Sequence, residues 1–120
     1  MGDSFKDLLL WQRAVQLSLA IYRLTASFPD SERFGLTNQL RRASVSIAGN
    51  LAEGYGQSTR GEYVVYLGHA RGSLCEAQTQ LVISKGLGFG SASARSVAEN
   101  LSEEVSRMLV AMMAKLRKKP

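Results

Sequence analysis

The chain has 120 residues and a mass of 13.1 kDa, the size of one domain that can bury a core without disulfides or metal. With 45% hydrophobic residues, a single cysteine (Cys75) and a single histidine (His69), it excludes collagen-like, low-complexity and disulfide-scaffold classes and points to a reducing cytoplasm. The net charge of +5 is mostly a property of the C-terminus, where Lys115, Arg117, Lys118 and Lys119 leave eleven basic against ten acidic residues in the body.

From the N-terminus onward no targeting segment is expected. The apolar run Leu8–Trp11 is too short for a signal-peptide core or a membrane span. Lys6 stands where a myristoylation site needs Ser or Thr. Leu10, Ala14, Leu17, Ile21, Leu24 and Phe28 recur at helical spacing and stop at Pro29, which disfavours helix at the residue before it. A second stripe runs Leu36, Leu40, Ala43, Ile47, Leu51 and Gly54 and closes at Tyr55-Gly56. A third, Tyr63, Leu67, Ala70, Leu74, Ala77, Leu81 and Ser84, is entered through Ser58 as N-cap with Glu62 in the first turn, and stopped by Gly86 in the left-handed C′ position. The fourth starts near Ser91 and carries Ala94, Val97, Leu101, Val105, Met108, Met112 and Leu116.

Four amphipathic helices joined by short loops predict an all-α fold, an antiparallel up-down-up-down four-helix bundle. It forms one domain over residues 1–120, with a basic tail at 115–120. Small residues on the second helix (Ala43, Ser44, Ala48, Gly49, Ala52) predict close neighbours there. Three segments are apolar around the whole helix: Leu8–Trp11, Tyr63–Leu67 and Met108–Ala114. The topology gathers all three at one end, which predicts a homo-oligomer with Leu8, Trp11, Tyr63, Val64, Tyr66, Leu109, Met112 and Met113 at its interface.

Chemistry finds little purchase. A di-metal carboxylate bundle needs two Glu-x-x-His pairs, and Tyr66 stands three residues before the lone His69. Cys75 lies beside Glu76, which would raise rather than lower a thiol pKa. Gly86-Leu87-Gly88-Phe89-Gly90 follows a helix and lacks the Lys-Ser/Thr of a phosphate loop. No cofactor, metal, membrane or small-molecule substrate is expected. A polar line on the second helix (Gln39, Arg42, Ser46, Asn50, Glu53) faces one on the third (His69, Ser73, Glu76, Gln80). Both are either solvated faces or a paired seam, within the fold or between subunits, with Arg42 forked to Glu76. The tail is likewise either solvated or a contact for nucleic acid, with Arg41, Arg60 and Arg71 next in line.

The stretches Phe5-x-x-Leu8-x-x-Trp11-Gln12-x-Ala14, Phe28-Pro29, Glu32-Arg33-Phe34-Gly35-Leu36-Thr37-x-Gln39-Leu40-Arg41-Arg42-Ala43-Ser44-Val45-Ser46-Ile47, Asn50-Leu51-Ala52-Glu53-Gly54-Tyr55-Gly56 and Ala70-Arg71-Gly72-Ser73-Leu74-x-Glu76 together resemble one family. It is the bacterial four-helix-bundle family encoded in intervening sequences of large-subunit (23S) rRNA genes. The resemblance spans about Phe5 to Met113. Ala48-Gly49 departs from the family's frequent Pro-Ser, and Gln57 from a common Arg, which removes a positive charge from the loop after the second helix. The resemblance implies a ring of five subunits. It also implies kinship with accessory proteins of diversity-generating retroelements, basic pentamers that bind nucleic acid and a reverse transcriptase. It implies neither a ribosome component nor any catalytic residue. The expectation is a non-enzymatic, cytoplasmic, oligomeric binding or scaffold protein, with nucleic acid as partner; the alternative is a purely structural ring without nucleic-acid affinity.

Overall fold

In the computed structural model, which describes residues 4–118, four helices account for most of the chain. They are α1 (Leu9–Thr25), α2 (Leu36–Tyr55), α3 (Arg60–Gly86) and α4 (Ala92–Lys118), with 3-10 turns at Phe5–Asp7 and Asp30–Glu32 and no strand among the described residues. The connections after α2 and α3 span only residues 56–59 and 87–91. Neither can run back along a helix of 20 or 27 residues, so successive helices are antiparallel. Each helix packs on its neighbours in sequence and α1 also packs on α4, whereas the diagonal pairs make no close approach. The result is a bundle of 48 × 23 × 22 Å.

The ends follow from local chemistry. α1 closes where the Thr25 hydroxyl donates back to the Ile21 carbonyl at 2.8 Å, ahead of Pro29. Gly35 precedes α2 and has no side chain to cap it, so the Glu32 carboxylate reaches back and accepts from the Leu36 N–H at 3.0 Å. A Cβ at Gly35 would lie 2.7 Å from that carboxylate oxygen. At α3 the expected cap shifts by one residue. Thr59, not Ser58, accepts from the Glu62 N–H at 3.1 Å, because only Thr59 stands three residues before Glu62. The α3 stop shifts as well. Gly86 is still helical, and Gly88 takes the left-handed conformation (φ 76°). The Phe89 N–H bonds the Ser84 carbonyl while the Gly88 N–H bonds that of Lys85, the paired bonds of a Schellman motif. The Phe89 ring then packs on Phe28, 5.5 Å between centroids, and ties this loop to the end of α1.

Three of the four core stripes emerge as read. Leu10, Ala14, Leu17, Ile21, Leu24 and Phe28 are buried, as are Leu40, Ala43, Ile47, Leu51 and Gly54, and Leu67, Ala70, Leu74, Ala77, Leu81 and Ser84; Leu36 and Tyr63 are half-buried. α2 and α3 form the most extensive pair, in keeping with the small residues on α2, although Gly49 itself faces open space. α4 departs from its expected stripe. Of the seven residues predicted, only Val105 is buried, and Val97 is 52% exposed. The buried line runs instead through Arg95, Ala98, Ser102, Val105, Leu109 and Met113. Arg95 is admitted because its guanidinium reaches the carbonyl end of α3. It donates to the Leu81 carbonyl at 2.6 Å, the Ser84 hydroxyl at 2.9 Å and the Phe89 carbonyl at 2.9 Å. Partial negative charge at a helix C-terminus favours a cation there.

Candidate functional site

The apolar end is where α1 and α3 begin and α4 finishes. The residues expected at an interface are here, but most are turned inward. Leu109 and Met113 belong to the core of the subunit, at 0% and 7% exposure, and Leu8, Trp11, Tyr63, Val64, Tyr66 and Met112 are half-buried. They satisfy one another. Trp11 meets Phe5 edge-on at 5.2 Å, the Tyr63 hydroxyl donates to Met112 Sδ at 3.5 Å, and the Tyr55 and Tyr63 rings stand 6.5 Å apart, edge to face. Burial raises the Tyr63 pKa above the usual tyrosine value, and the nearby Tyr55 adds to the shift. A carboxylate at Met113 would therefore break the fold rather than an interface. The exposed apolar side chains lie beside the expected ones: Leu9, Val65 and Val110, at 49%, 56% and 42% exposure. Each of the three all-round apolar segments leaves one of these side chains in water, and packing decided which side of each helix that is.

The polar seam between α2 and α3 exists in part. The Ser46 and Ser73 hydroxyls lie 2.9 Å apart across the interface, and Asn50 donates to the Ser46 carbonyl and hydroxyl at 2.8 and 3.0 Å. Gln80 donates to Gln39 at 3.4 Å. Arg42 and Glu76 form no ion pair. Both are exposed, on opposite sides of an open groove that also holds Phe34, Asn38, Gln39 and Gln80. Full solvation keeps two long side chains apart when no buried environment rewards their meeting. The interhelical ion pairs among the described residues lie elsewhere, Arg13–Glu104 at 2.9 Å and Lys85–Glu99 at 4.0 Å. Glu53 is exposed near the far end of α2.

The candidate nucleic-acid residues divide. Lys115 and Arg117 are exposed on the last described turns of α4, and Lys118 is the last described residue of the helix. Lys119 lies outside the described residues. Arg41 is committed within the fold: its Nε donates to Thr25 Oγ1 at 2.8 Å and its guanidinium lies 4.5 Å from the Tyr22 ring centre. It sits in the first turns of α2, at the end opposite the tail. Arg60 opens α3 on the tail side, and Arg71 is exposed midway along α3. No single basic surface unites all of them.

Sequence reasoning missed Arg95. Burial pulls its pKa below the ordinary arginine value, offset in part by the Glu99 carboxylate. The signal was present as a second line on α4, Ala98, Ser102, Val105 and Leu109 at spacings of 4, 3 and 4. A charged residue at its head made that line look like the solvent face. His69 is exposed and meets the Tyr66 ring edge-on at 5.7 Å, and Cys75 is exposed. Among the described residues no three of His, Cys, Asp and Glu converge as metal ligands, and no helix is long and apolar enough to cross a membrane.

The model of the 23S rRNA-intervening sequence protein family matches residues 6–111. Among solved structures, the chain is similar to a protein of unknown function from the S23 ribosomal protein family of Bacteroides thetaiotaomicron. The TM-score is 0.76 and the identity 17%, over 87% of this chain and 97% of that one. At that identity the likeness concerns the fold alone. No curated protein matches the chain significantly.

Proposed function

The chain belongs to the 23S rRNA-intervening sequence protein family, and from that premise we propose that it is a non-catalytic, cytoplasmic assembly module. Its copies associate at the apolar end and gather their basic C-termini into a rim that binds nucleic acid. One observation carries this reading. Leu9, Val65 and Val110 expose apolar surface at the end of the bundle from which Lys115 and Arg117 project. Apolar surface on a domain of this size favours association. One tail offers few phosphate contacts, whereas several tails on one rim engage a strand together and gain avidity. The ring of five implied by the family resemblance is one geometry that achieves this.

The test measures native mass by sedimentation and binding of a mixed-sequence single-stranded RNA by fluorescence anisotropy. The intact protein is expected to exceed the 13.1 kDa of one chain and to bind with a steep salt dependence. Leu9→Glu with Val110→Glu lowers the mass, since both side chains are exposed and the subunit tolerates the change. Truncation after Ala114 abolishes binding and leaves the mass intact. A monomer at every concentration overturns the assembly reading. An oligomer that binds no RNA at low salt leaves the purely structural ring in its place.

A further inference from the structure

The turn before α2 leaves its phenylalanine outside the core. Phe34 is 85% exposed, yet the turn that carries it is fixed. The Arg33 N–H bonds the Asp30 carbonyl at 3.1 Å, the Gly35 N–H bonds that of Glu32 at 2.9 Å, and the Glu32 carboxylate caps α2. An apolar ring held in water on a rigid turn contributes nothing to the core. Phe34 stands instead at the groove between α2 and α3, about 390 Å³ in volume, with Asn38, Gln39, Arg42, Glu76 and Gln80. Among the described residues, the side chains of Asn38, Arg42 and Glu76 make no hydrogen bond or ion pair. Gln80 has unfinished bonding too. It is only 8% exposed, its Nε2 donates to Gln39 at 3.4 Å, near the limit of a hydrogen bond, and its Oε1 has no partner. Buried acceptors are nearly always paired in folded proteins, so this one marks a candidate ligand contact. A second groove of about 490 Å³ adjoins the first. It shares Asn38 and Arg42 and adds Tyr22, Arg41 and Ser46, with no carboxylate. Both volumes are in the range of small-ligand sites.

The two grooves divide between them the chemistry of a nucleotide. The second offers guanidinium and hydroxyl groups, which suit a phosphate; Arg41 spends only its Nε on Thr25. The first offers an aromatic ring, carboxamides, and a cation and a carboxylate on opposite walls, which suit a base. Guanine alone presents paired groups to both walls. Its O6 and N7 acceptors lie side by side for the two-pronged Arg42, and its N1–H and N2–H donors match the two oxygens of Glu76. Gln80 stands one helical turn beyond Glu76 on α3. Its Oε1 accepts the second N2 hydrogen once the exposed Gln39 side chain moves aside. Adenine in the same pose sets an amine against Arg42 and a bare nitrogen against Glu76, and cytosine has one amine and a single ring. Phe34 supplies a stacking face that any base can use. We infer that this groove is a guanine-nucleotide site, with guanine between Arg42 and Glu76 against Phe34 and the phosphate beside Arg41. The same chemistry is carried by a free guanine nucleotide and by an unpaired guanosine in a strand. The site lies toward the end of the bundle where α2 begins, away from Lys115 and Arg117, and needs neither the tails nor assembly.

The test is a magnetic-resonance titration of the intact protein with the 5′-monophosphates of guanosine, inosine, adenosine and cytidine. The guanosine nucleotide is expected to move the side-chain amide signals of Asn38, Gln39 and Gln80 to saturation. It should bind at least about fivefold more tightly than the adenosine or cytidine nucleotide. The inosine nucleotide, which lacks the N2 amine, should fall between. Glu76→Gln shrinks the preference for guanosine over adenosine, whereas Phe34→Ala weakens both by the same factor. Both side chains are exposed, so circular dichroism stays helical. Truncation after Ala114 leaves guanosine-nucleotide binding unchanged, so this site and the proposed basic rim fail separately. Two trinucleotides separate the sources. A UGU that binds more tightly than the mononucleotide, with UAU weaker, assigns the guanosine of a strand, and a UGU no tighter assigns the free nucleotide. Equal affinity for the guanosine and adenosine nucleotides overturns the site. So do shifts confined to residues outside the groove, a Glu76→Gln variant with its preference intact, or no saturation by any guanosine ligand. Equal binding of the inosine and guanosine nucleotides overturns the contacts of the N2 amine.

Discussion

α3 and α4 each span 27 described residues and lie antiparallel side by side, yet their outward faces differ in charge. α4 admits Arg95 and Ser102 into the core and keeps Glu103 and Arg107 outside. Its inward polar groups are satisfied, Arg95 by three acceptors on α3 and its loop, and Ser102 by the Glu99 carbonyl. On α3 the buried line likewise holds two polar residues, Gln80 and Ser84, but the outward line through Val65, Gly68, Gly72, Cys75, Thr79 and Val82 has no charge. Inside a subunit the first solution is stable because each buried polar atom has a partner. The second leaves apolar surface in water, which stabilises nothing until another molecule covers it. Of the two neighbours, α4 carries charge on its outward face beside Val97 and Val110, whereas the outward line of α3 carries none.

Removing the buried cation is the strongest way to break that contrast. Arg95→Met leaves the Leu81, Ser84 and Phe89 acceptors without their donor, and should lower unfolding stability by about 2–4 kcal/mol in denaturant titration. Arg107→Met, on the exposed side of the same helix, should change it by less than about 0.5 kcal/mol. Equal effects at the two positions would mean that Arg95 contributes no more than a surface charge.

Glycines sharpen the comparison at a smaller scale. Gly54 on α2 lies beneath α3, where an added Cβ would stand 2.8 Å from Tyr66 Cβ and 3.0 Å from the Tyr63 ring. Gly54→Ala should therefore destabilise by about 1–3 kcal/mol through overpacking. Gly72→Ala meets nothing and, at concentrations where the chain is monomeric, should stabilise by about 0.5–1 kcal/mol. Opposite signs for one chemical change would show that the inner face of α3 is closed and the outer one open.

The smallest effect is a pH dependence at the apolar end. The folded state holds the Tyr63 pKa above its ordinary value of 10.0, by burial first and by Tyr55 second. The unfolded chain releases that proton more readily, so the contribution to stability is complete below about pH 10 and is lost as pH rises through the folded pKa. Melting curves from pH 9 to 11 should fall less steeply for Tyr63→Phe than for the parent. Parallel curves would place the hydroxyl in water.

Much of the architecture was legible before any coordinates. Heptad-like apolar spacing located all four helices, because a helix that buries one face must repeat its apolar residues every three to four positions. Pro29 marked the end of the first segment, and Ser91, whose hydroxyl accepts from the Ala94 N–H at 3.2 Å, marked the start of the fourth. The three apolar segments at one end were legible too. Their facing was not, because an all-round apolar segment carries no periodic signal to orient it; Leu9, Val65 and Val110 were left exposed by the neighbours that buried Leu10, Leu67 and Leu109. The ion pair expected between Arg42 and Glu76 fails for a related reason. Matching spacing puts two charges on facing helices, but only the depth of the groove between them decides whether pairing outcompetes water. Arg95 is the clearest case. Local pattern assigns an arginine to solvent, and only the tertiary arrangement, which brings the carbonyl end of α3 and the Phe89 loop around its guanidinium, makes burial the lower-energy place for the charge.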